Sequence, residues 1–271
     1  MSPPVKLRME SVTKRFEAAD ARVTVAVQDF TLDVRQGEFL VIVGPSGCGK
    51  TTVLNVLAGL ERASSGRVSI DERPIVAPGP ERGVMFQDYA LFPWQTVRGN
   101  VEFGLRHGPA GRELDGASRE ARVRSCIELV GLTGAETKYP HQLSGGMRQR
   151  VALARLMSIE PEVLLMDEPL AALDAQTRLI LQDELLRIWG QDRPPTHRRT
   201  VVFITHAIDE AVFLADRIAV MTTHPGRLKA LIDVPLPRPR NDATRASPEF
   251  QALTQRIWSL IRDEAYRAIV T

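Results

Sequence analysis

Residues 39–51 read Phe39-Leu40-Val41-Ile42-Val43-Gly44-Pro45-Ser46-Gly47-Cys48-Gly49-Lys50-Thr51. The first five are continuously apolar and rich in β-branched side chains, as a strand buried on both faces requires. The next eight match G-x-x-x-x-G-K-[ST] in full, and 52–60 then follow a helical pattern. Glycines let consecutive backbone N–H groups turn inward around an anion. The helix N-terminus that follows adds its positive end. Lys50 brings a full charge for outer phosphates, and the Thr51 hydroxyl, followed by Thr52, suits Mg²⁺. Cys48 reads as a small loop residue rather than a redox centre.

Outward from this loop, 6–10 and 30–34 alternate apolar with polar residues, which predicts half-buried antiparallel strands. Short buried runs recur at 83–86, 163–166, 201–204 and 218–221, with helical patterns between several of them. Strand alternating with helix predicts an α/β fold with a mainly parallel sheet. The stretch from about 89 to 158 is poorer in strand signals and predicts a helical subdomain. Residues 193–199 read as a solvated surface loop. Residues 234–240, with prolines at alternate positions, should be extended. Ser247-Pro248-Glu249 marks a helix start. The helix it opens carries Phe250, Leu253, Ile257, Leu260 and Ile261 on one stripe, which docks it on a core.

Composition narrows the function classes. The chain has 271 residues, 44% hydrophobic and 25% charged, an ordinary globular balance that excludes disordered, collagenous and coiled-coil chains. A formal charge of +2 provides no strong field for nucleic acid or anionic lipid. Two cysteines, Cys48 and Cys126, make no disulfide framework and fit a reducing compartment. The N-terminus lacks the apolar core of a signal peptide, and no run approaches the ~20 residues a spanning helix needs.

Two further stretches carry chemistry. Val163-Leu164-Leu165-Met166-Asp167-Glu168-Pro169 is a buried strand ending in adjacent carboxylates that a cation would relieve. Asp167 suits Mg²⁺, mostly through water, and Glu168 suits polarisation of an attacking water. Leu143-Ser144-Gly145-Gly146-Met147-Arg148-Gln149-Arg150 is the second. Ser144 is a good N-cap, Met147, Val151 and Ala154 give the following helix an apolar side, and an exposed Ser-Gly-Gly start is another anion-binding geometry.

Residues 143–150 resemble the signature motif of the ATP-binding-cassette (ABC) ATPases, which other phosphate-loop classes lack, and the resemblance extends over nearly the whole chain. It implies a P-loop NTPase fold with a mainly parallel sheet core, an N-terminal antiparallel β subdomain and a helical subdomain. The ATPase domain would span 1–240 and a helical tail 241–271. Further residues resemble family elements in chain order. Phe16 resembles the aromatic that stacks on adenine, a core or loop role being the alternative. Gln87 resembles the glutamine that senses Mg²⁺ and water. Ala172-Leu173-Asp174 resembles the D-loop, with Ala171 where serine is usual. His206 resembles the switch histidine on the γ-phosphate. Gly44, Pro45, Ser46, Gly47, Cys48, Gly49, Lys50, Thr51, Thr52, Ser144, Gly145, Gly146 and Asp174 would then contact ATP, while Thr51, Gln87 and Asp167 would face Mg²⁺ and Glu168, His206 and Gln87 would serve hydrolysis.

In that family two cassettes associate head to tail, with ATP between the phosphate loop of one and the Ser-Gly-Gly of the other. One copy of each motif implies a homodimer with two composite sites. The resemblance further implies an importer cassette at the cytoplasmic face of the inner membrane, held there peripherally by separate permease subunits. A periplasmic or lipid-anchored binding protein would deliver the solute. Leu91-Phe92-Pro93-Trp94 either packs locally or forms part of the permease groove. Stretches 81–87, 92–94, 224–227 and 236–240 resemble the nitrate, sulfonate and taurine branch of importers. The rivals are a soluble ABC ATPase acting on nucleic acid or ribosomes, an exporter cassette, and a small-molecule kinase. About 93 residues without heptads separate Lys50 from Ser144, which disfavours the first and leaves no nucleic acid expected. The kinase leaves 143–150 unexplained.

Overall fold

The structure, a computed structural model, describes residues 3–17, 22–108, 114–171 and 173–270. It divides into two compact units, Met1–Gly79 with Trp189–Thr271, and Pro80–Ile188.

In the first unit, β1 (Val5–Glu17) and β2 (Val23–Arg35) pair antiparallel, with Met9 opposite Leu32 and Val12 opposite Phe30. Those four side chains are buried, which accounts for the alternating pattern. β3 (Phe39–Val43) is buried at every position. After the loop comes α1 (Lys50–Ala58), then β4 (Ser65–Ile70) and β5 (Arg73–Pro74), which extend the antiparallel sheet in the order β2-β1-β4-β5. Helix α1 begins two residues earlier than the pattern suggested and stops at Gly59, whose φ of 77° is a left-handed cap.

The second unit opens with β6 (Arg82–Met85) and continues through α2 (Val97–His107), α3 (Gly116–Leu129), α4 (Gly145–Ser158), β7 (Val163–Asp167) and α5 (Ala175–Trp189). β6 and β7 are parallel, with Met85 beside Met166. Three α-helices, one turn of 3-10 helix (Pro140–Gln142) and no strand lie between 89 and 158 among the described residues.

The chain then returns to the first unit with β8 (Thr200–Ile204), α6 (Ile208–Leu214), β9 (Arg217–Met221) and β10 (Leu228–Asp233). β3 lies between β8 and β9, parallel to both, and β10 pairs antiparallel with β9. A short α7 (Asp242–Arg245) precedes α8 (Pro248–Val270). Phe250 and Ile257 of α8 are buried, and Leu253, Leu260 and Ile261 are half-buried. The loop 193–199 lies at the surface, with Arg193, Pro194, Thr196 and His197 exposed and only Arg198 and Arg199 half-buried. The Arg198 guanidinium lies 4.7 Å from the centre of the Trp189 ring and donates to the carbonyls of Gly190, Gln191 and Arg193.

The proline-rich segment staples this unit. The expected extended run holds over 234–237 and the chain bends at 238–239; Leu236 and Arg240 are buried and Arg238 half-buried, while the prolines at 235, 237 and 239 are exposed. Arg240, 3% exposed, donates to the carbonyls of Val212, Phe213 and Ala215 at the end of α6, and to those of Val234 and Leu236. Helices leave their last carbonyls unpaired, and a cation there also meets the negative end of the dipole. Burial pushes the Arg240 guanidinium down to about 9, with the Arg238 cation acting the same way and Asp216 opposing. Arg240→Ala should therefore cost about 3 kcal/mol, since orphaned buried carbonyls cost about 1–3 kcal/mol each. The check is the urea midpoint; a shift corresponding to under about 1 kcal/mol at unchanged m would refute it.

Candidate functional site

The loop after β3 takes its shape from two left-handed glycines, Gly47 at φ 75° and Gly49 at φ 96°. A Cβ on Gly49 would stand 2.7 Å from the Ala26 carbonyl oxygen, so no other residue fits. Gly49 is also the N-cap of α1 and makes no side-chain cap bond. The first-turn N–H groups are thus left to an anion rather than to a capping side chain. Lys50 is 7% exposed, and its ammonium folds back to donate to Gly44 O (2.9 Å) and Pro45 O (3.0 Å). Cys48 is buried, and burial pushes its thiol up, against the pull of Lys50. That suppresses the thiolate a redox role would need. Ser46, Gly47 and Thr51 are exposed; Pro45 and Thr52 are half-buried.

β8 runs beside β3 with Ile42 level with Ile204, and the Thr205 N–H donates to Ile42 O. His206 therefore leaves the sheet at the same edge as the loop, with its side chain exposed. Carboxyl ends of neighbouring parallel strands are where ligands bind in open α/β sheets. Phe16 lies on β1 opposite Thr24; its ring is 40% exposed and carries the Lys14 ammonium 4.7 Å from its centre.

In the second unit, the parallel register of β6 and β7 brings Gln87 and the pair Asp167-Glu168 out at one edge. Asp167 is buried, Glu168 half-buried and Gln87 exposed. Glu168 has φ 44°, a left-handed backbone uncommon outside glycine and frequent at functional positions.

Beyond Gln87 the chain is held at two points that sequence reasoning missed. Tyr89 and Ala90 both have positive φ, 62° and 44°. The Arg155 guanidinium of α4 clamps them, donating to Tyr89 O (2.8 Å) and Ala90 O (2.7 Å). Its burial lowers its pKa, with Asp88 opposing. Further along, the fully buried Asn100 amide donates to the carbonyls of Phe92, Gln95 and Thr96 and accepts from Phe92 N. No sequence pattern marks either residue. Between these anchors stands an aromatic group, with Phe92 4.4 Å from Phe103 and 5.6 Å from Trp94, ring centre to ring centre. Trp94 is 70% exposed.

Ser144 is exposed and caps α4, its hydroxyl accepting from Met147 N at 3.3 Å. A Cβ on Gly146 would come 3.0 Å from Thr177 Cγ2, so the Gly145-Gly146 turn lies against the start of α5. Asp174 caps that helix by accepting from Thr177 N at 2.9 Å, a bond that holds its carboxyl below the usual range. Ala171 precedes it, and Ala172 lies outside the described residues. Among the described residues, then, Gln87 joins Asp167 and Glu168, His206 joins the 44–51 loop, and Ser144, Gly145 and Gly146 adjoin the α5 start that Asp174 caps.

Residues 27–171 match the family model described as "ABC transporter". The chain is 47% identical over 268 residues to an uncharacterized ABC transporter ATP-binding protein of Methanocaldococcus jannaschii, covering 98% of this chain and 94% of that one. It is 47% identical to the nitrate import ATP-binding protein NrtD of Synechococcus elongatus, covering 84% and 82% of the two chains. With the aliphatic sulfonates import ATP-binding protein SsuB of Bacillus licheniformis, identity is 48% and coverage 86% of each. Among solved structures, the fold is similar to the dimeric MJ0796, a bacterial ABC transporter cassette, at a TM-score of 0.73 and 29% identity, over 84% of this chain and 98% of that one. Motifs, fold and relatives agree, and the chain belongs to the ABC transporter family as an ATP-binding, ATP-hydrolysing cassette.

Proposed function

We propose that this cassette drives an importer of small anions or organic solutes of the nitrate, sulfonate or taurine kind. It would work as a homodimer bound peripherally to separate permease subunits at the cytoplasmic face of the membrane. A periplasmic or lipid-anchored binding protein delivers the solute. The relatives named as nitrate and sulfonate import ATP-binding proteins support the importer class. Among the described residues no helix is long and apolar enough to cross a membrane.

The observation that carries the dimer is the pairing of two anion-ready helix starts in one chain. One is the uncapped start of α1 behind Gly49; the other is the start of α4, where Ser144 is exposed and caps Met147 N and Gly145 and Gly146 are half-buried. Each molecule has one of each, so a head-to-tail pair completes two sites. Backbone N–H groups of 44–51 and the Lys50 ammonium take the phosphates of ATP. Ser144, Gly145 and Gly146 of the second copy take the γ-phosphate from the other side, with Asp174 at that junction. Phe16 stacks on adenine. Glu168 polarises the attacking water, His206 holds the γ-phosphate, and Gln87 reads the state of the site.

Thr51, Gln87 and Asp167 offer only oxygen ligands, as a hard divalent ion requires. Among the described residues no three His, Cys, Asp or Glu gather to hold a metal alone. Mg²⁺ therefore fits as an ion shared with the nucleotide, where it supplies positive charge to the outer phosphates. Exposed Trp94 with Phe92 and Phe103 forms the permease contact, and the anchors Arg155 and Asn100 tie that contact to Gln87.

Dilution tests the dimer. Specific ATPase activity should fall as protein concentration drops below the self-association constant. Ser144→Arg should retain ATP binding within about threefold yet lose at least about 10-fold in turnover, because it fills a helix start that only the second nucleotide uses. Turnover per molecule that ignores dilution would overturn the reading. Uptake of labelled nitrate, taurine and alkanesulfonates by vesicles carrying the permease would then identify the solute.

A further inference from the structure

The back of the phosphate loop rests on a turn that the proposed function leaves without a role. Residues 222–227 join β9 to β10, and a Cβ on Gly226 would sit 2.0 Å from the Cys48 carbonyl oxygen. The turn's backbone is therefore pressed directly on the loop. Gly226 N–H also donates to Ala26 O (3.0 Å), and Gln28 N–H donates to Gly226 O (2.9 Å). Ala26 is the residue that Gly49 must clear. One short stretch of β2, the 222–227 turn and the phosphate loop thus share a contact that tolerates no Cβ at Gly49 or Gly226.

The other end of the turn is fixed by α8. Glu264, 1% exposed, accepts from the Thr223 N–H at 3.0 Å and from the Lys229 ammonium at 2.8 Å. Lys229 also donates to Leu260 O at 2.9 Å, so the ion pair is tied to the helix backbone. Within the turn, Thr222 Oγ1 donates to the Thr223 and Pro225 carbonyls and accepts from Arg227 N. Hydrogen bonds therefore run from the tail helix into the 222–227 turn, and at Gly226 the turn's backbone packs against the backbone of Cys48. A buried carboxylate that serves only to dock a helix has no need to hold a loop N–H two elements away. Apolar contact at Ile257 already docks α8.

We propose that the tail helix sets the conformation of the phosphate loop, with Glu264 as the positioning residue acting through Thr223, Lys229 and Gly226. This rests on the reading that 44–51 bind phosphates. Displacing a preorganised binding loop by a fraction of an ångström is felt first in affinity. Glu264→Ala should raise the KM for ATP roughly 5- to 10-fold while leaving kcat within about twofold. Glu264→Gln keeps an acceptor for the Thr223 N–H and should recover most of the loss. Gly226→Ala, which drives a methyl into the Cys48 carbonyl, should match or exceed Glu264→Ala. Ile257→Val loosens α8 without touching the turn and should leave KM unchanged, all assays being run well below the lowest Tm.

A KM for Glu264→Ala within twofold of the parent, with only Tm lowered, would reduce Glu264 to a stabilising residue and overturn the proposal. An equal KM rise in Ile257→Val would overturn it too, since general loosening would then suffice. Should Glu264→Ala fail to fold, Lys229→Met carries the same KM comparison, with Glu264→Gln as the variant that stays near the parent. Lys50→Ala separates the two failures. If it abolishes ATP binding while Glu264→Ala does nothing, only the tail coupling falls; if it also leaves binding intact, the phosphate-loop reading falls with it.

Discussion

Glu168→Gln should bind ATP as tightly as the parent, lose turnover by about 10³-fold, and collect as a nucleotide-bound dimer. The amide keeps the size and hydrogen-bonding reach of the carboxylate but cannot accept a proton from water. Its place in the fold suits that task. β7 delivers it directly after the buried Asp167, level with Gln87 at the end of β6. Its backbone sits at φ 44°, a conformation maintained at some cost by the surrounding fold. If ATP binding joins two copies and hydrolysis parts them, blocking the chemistry leaves the joined state to accumulate. Size-exclusion chromatography with and without ATP reads the dimer, and phosphate release reads turnover. Turnover within tenfold of the parent would remove Glu168 from the base role and shift attention to His206.

The parts of this fold that were legible in sequence are those whose meaning is local. The loop 44–51 carries its own explanation, because glycine, lysine and threonine at fixed spacing already imply the backbone they adopt. The buried strands at 39–43, 163–166 and 201–204 were legible because burial on both faces removes polar residues from those runs. β4 and β10 escaped notice because they are partly wet. Ser65, Gly66 and Arg67 open β4 fully exposed, and most of β10 is half-buried or exposed.

The residues that hold the site in place were illegible for a different reason. Arg155 meets Tyr89 and Ala90 from 66 and 65 positions away, and Glu264 meets Thr223 from 41. Each is a polar side chain on a helix, which from sequence alone reads as a solvated face. Arg240 is a partial exception, because the alternating prolines mark the run before it as extended. Nothing in that pattern says that Arg240 turns inward onto the carbonyls of α6.

Lys50→Ala should cost ATP about 100- to 1,000-fold in affinity, about 3–4 kcal/mol. Two unit charges 4 Å apart at an effective dielectric of about 20 interact by about 4 kcal/mol, and most of that is recoverable where the charge is already desolvated and held. Lys50 meets both conditions. It is 7% exposed, so water screens it little, and two loop carbonyls fix its ammonium before any ligand arrives. Two of its three N–H donors serve Gly44 and Pro45, which leaves the third for a phosphate oxygen. Lys50→Arg should not rescue the loss, because a planar fork cannot reproduce the bonds a compact ammonium gives to Gly44 O and Pro45 O while also reaching a phosphate. The loss should grow with phosphate number, being small for AMP, larger for ADP and largest for ATP. Calorimetric titration of the three nucleotides separates this from a loop that has simply collapsed, which would weaken all three alike. An ATP affinity within threefold of the parent would overturn the reading of 44–51 as the phosphate site.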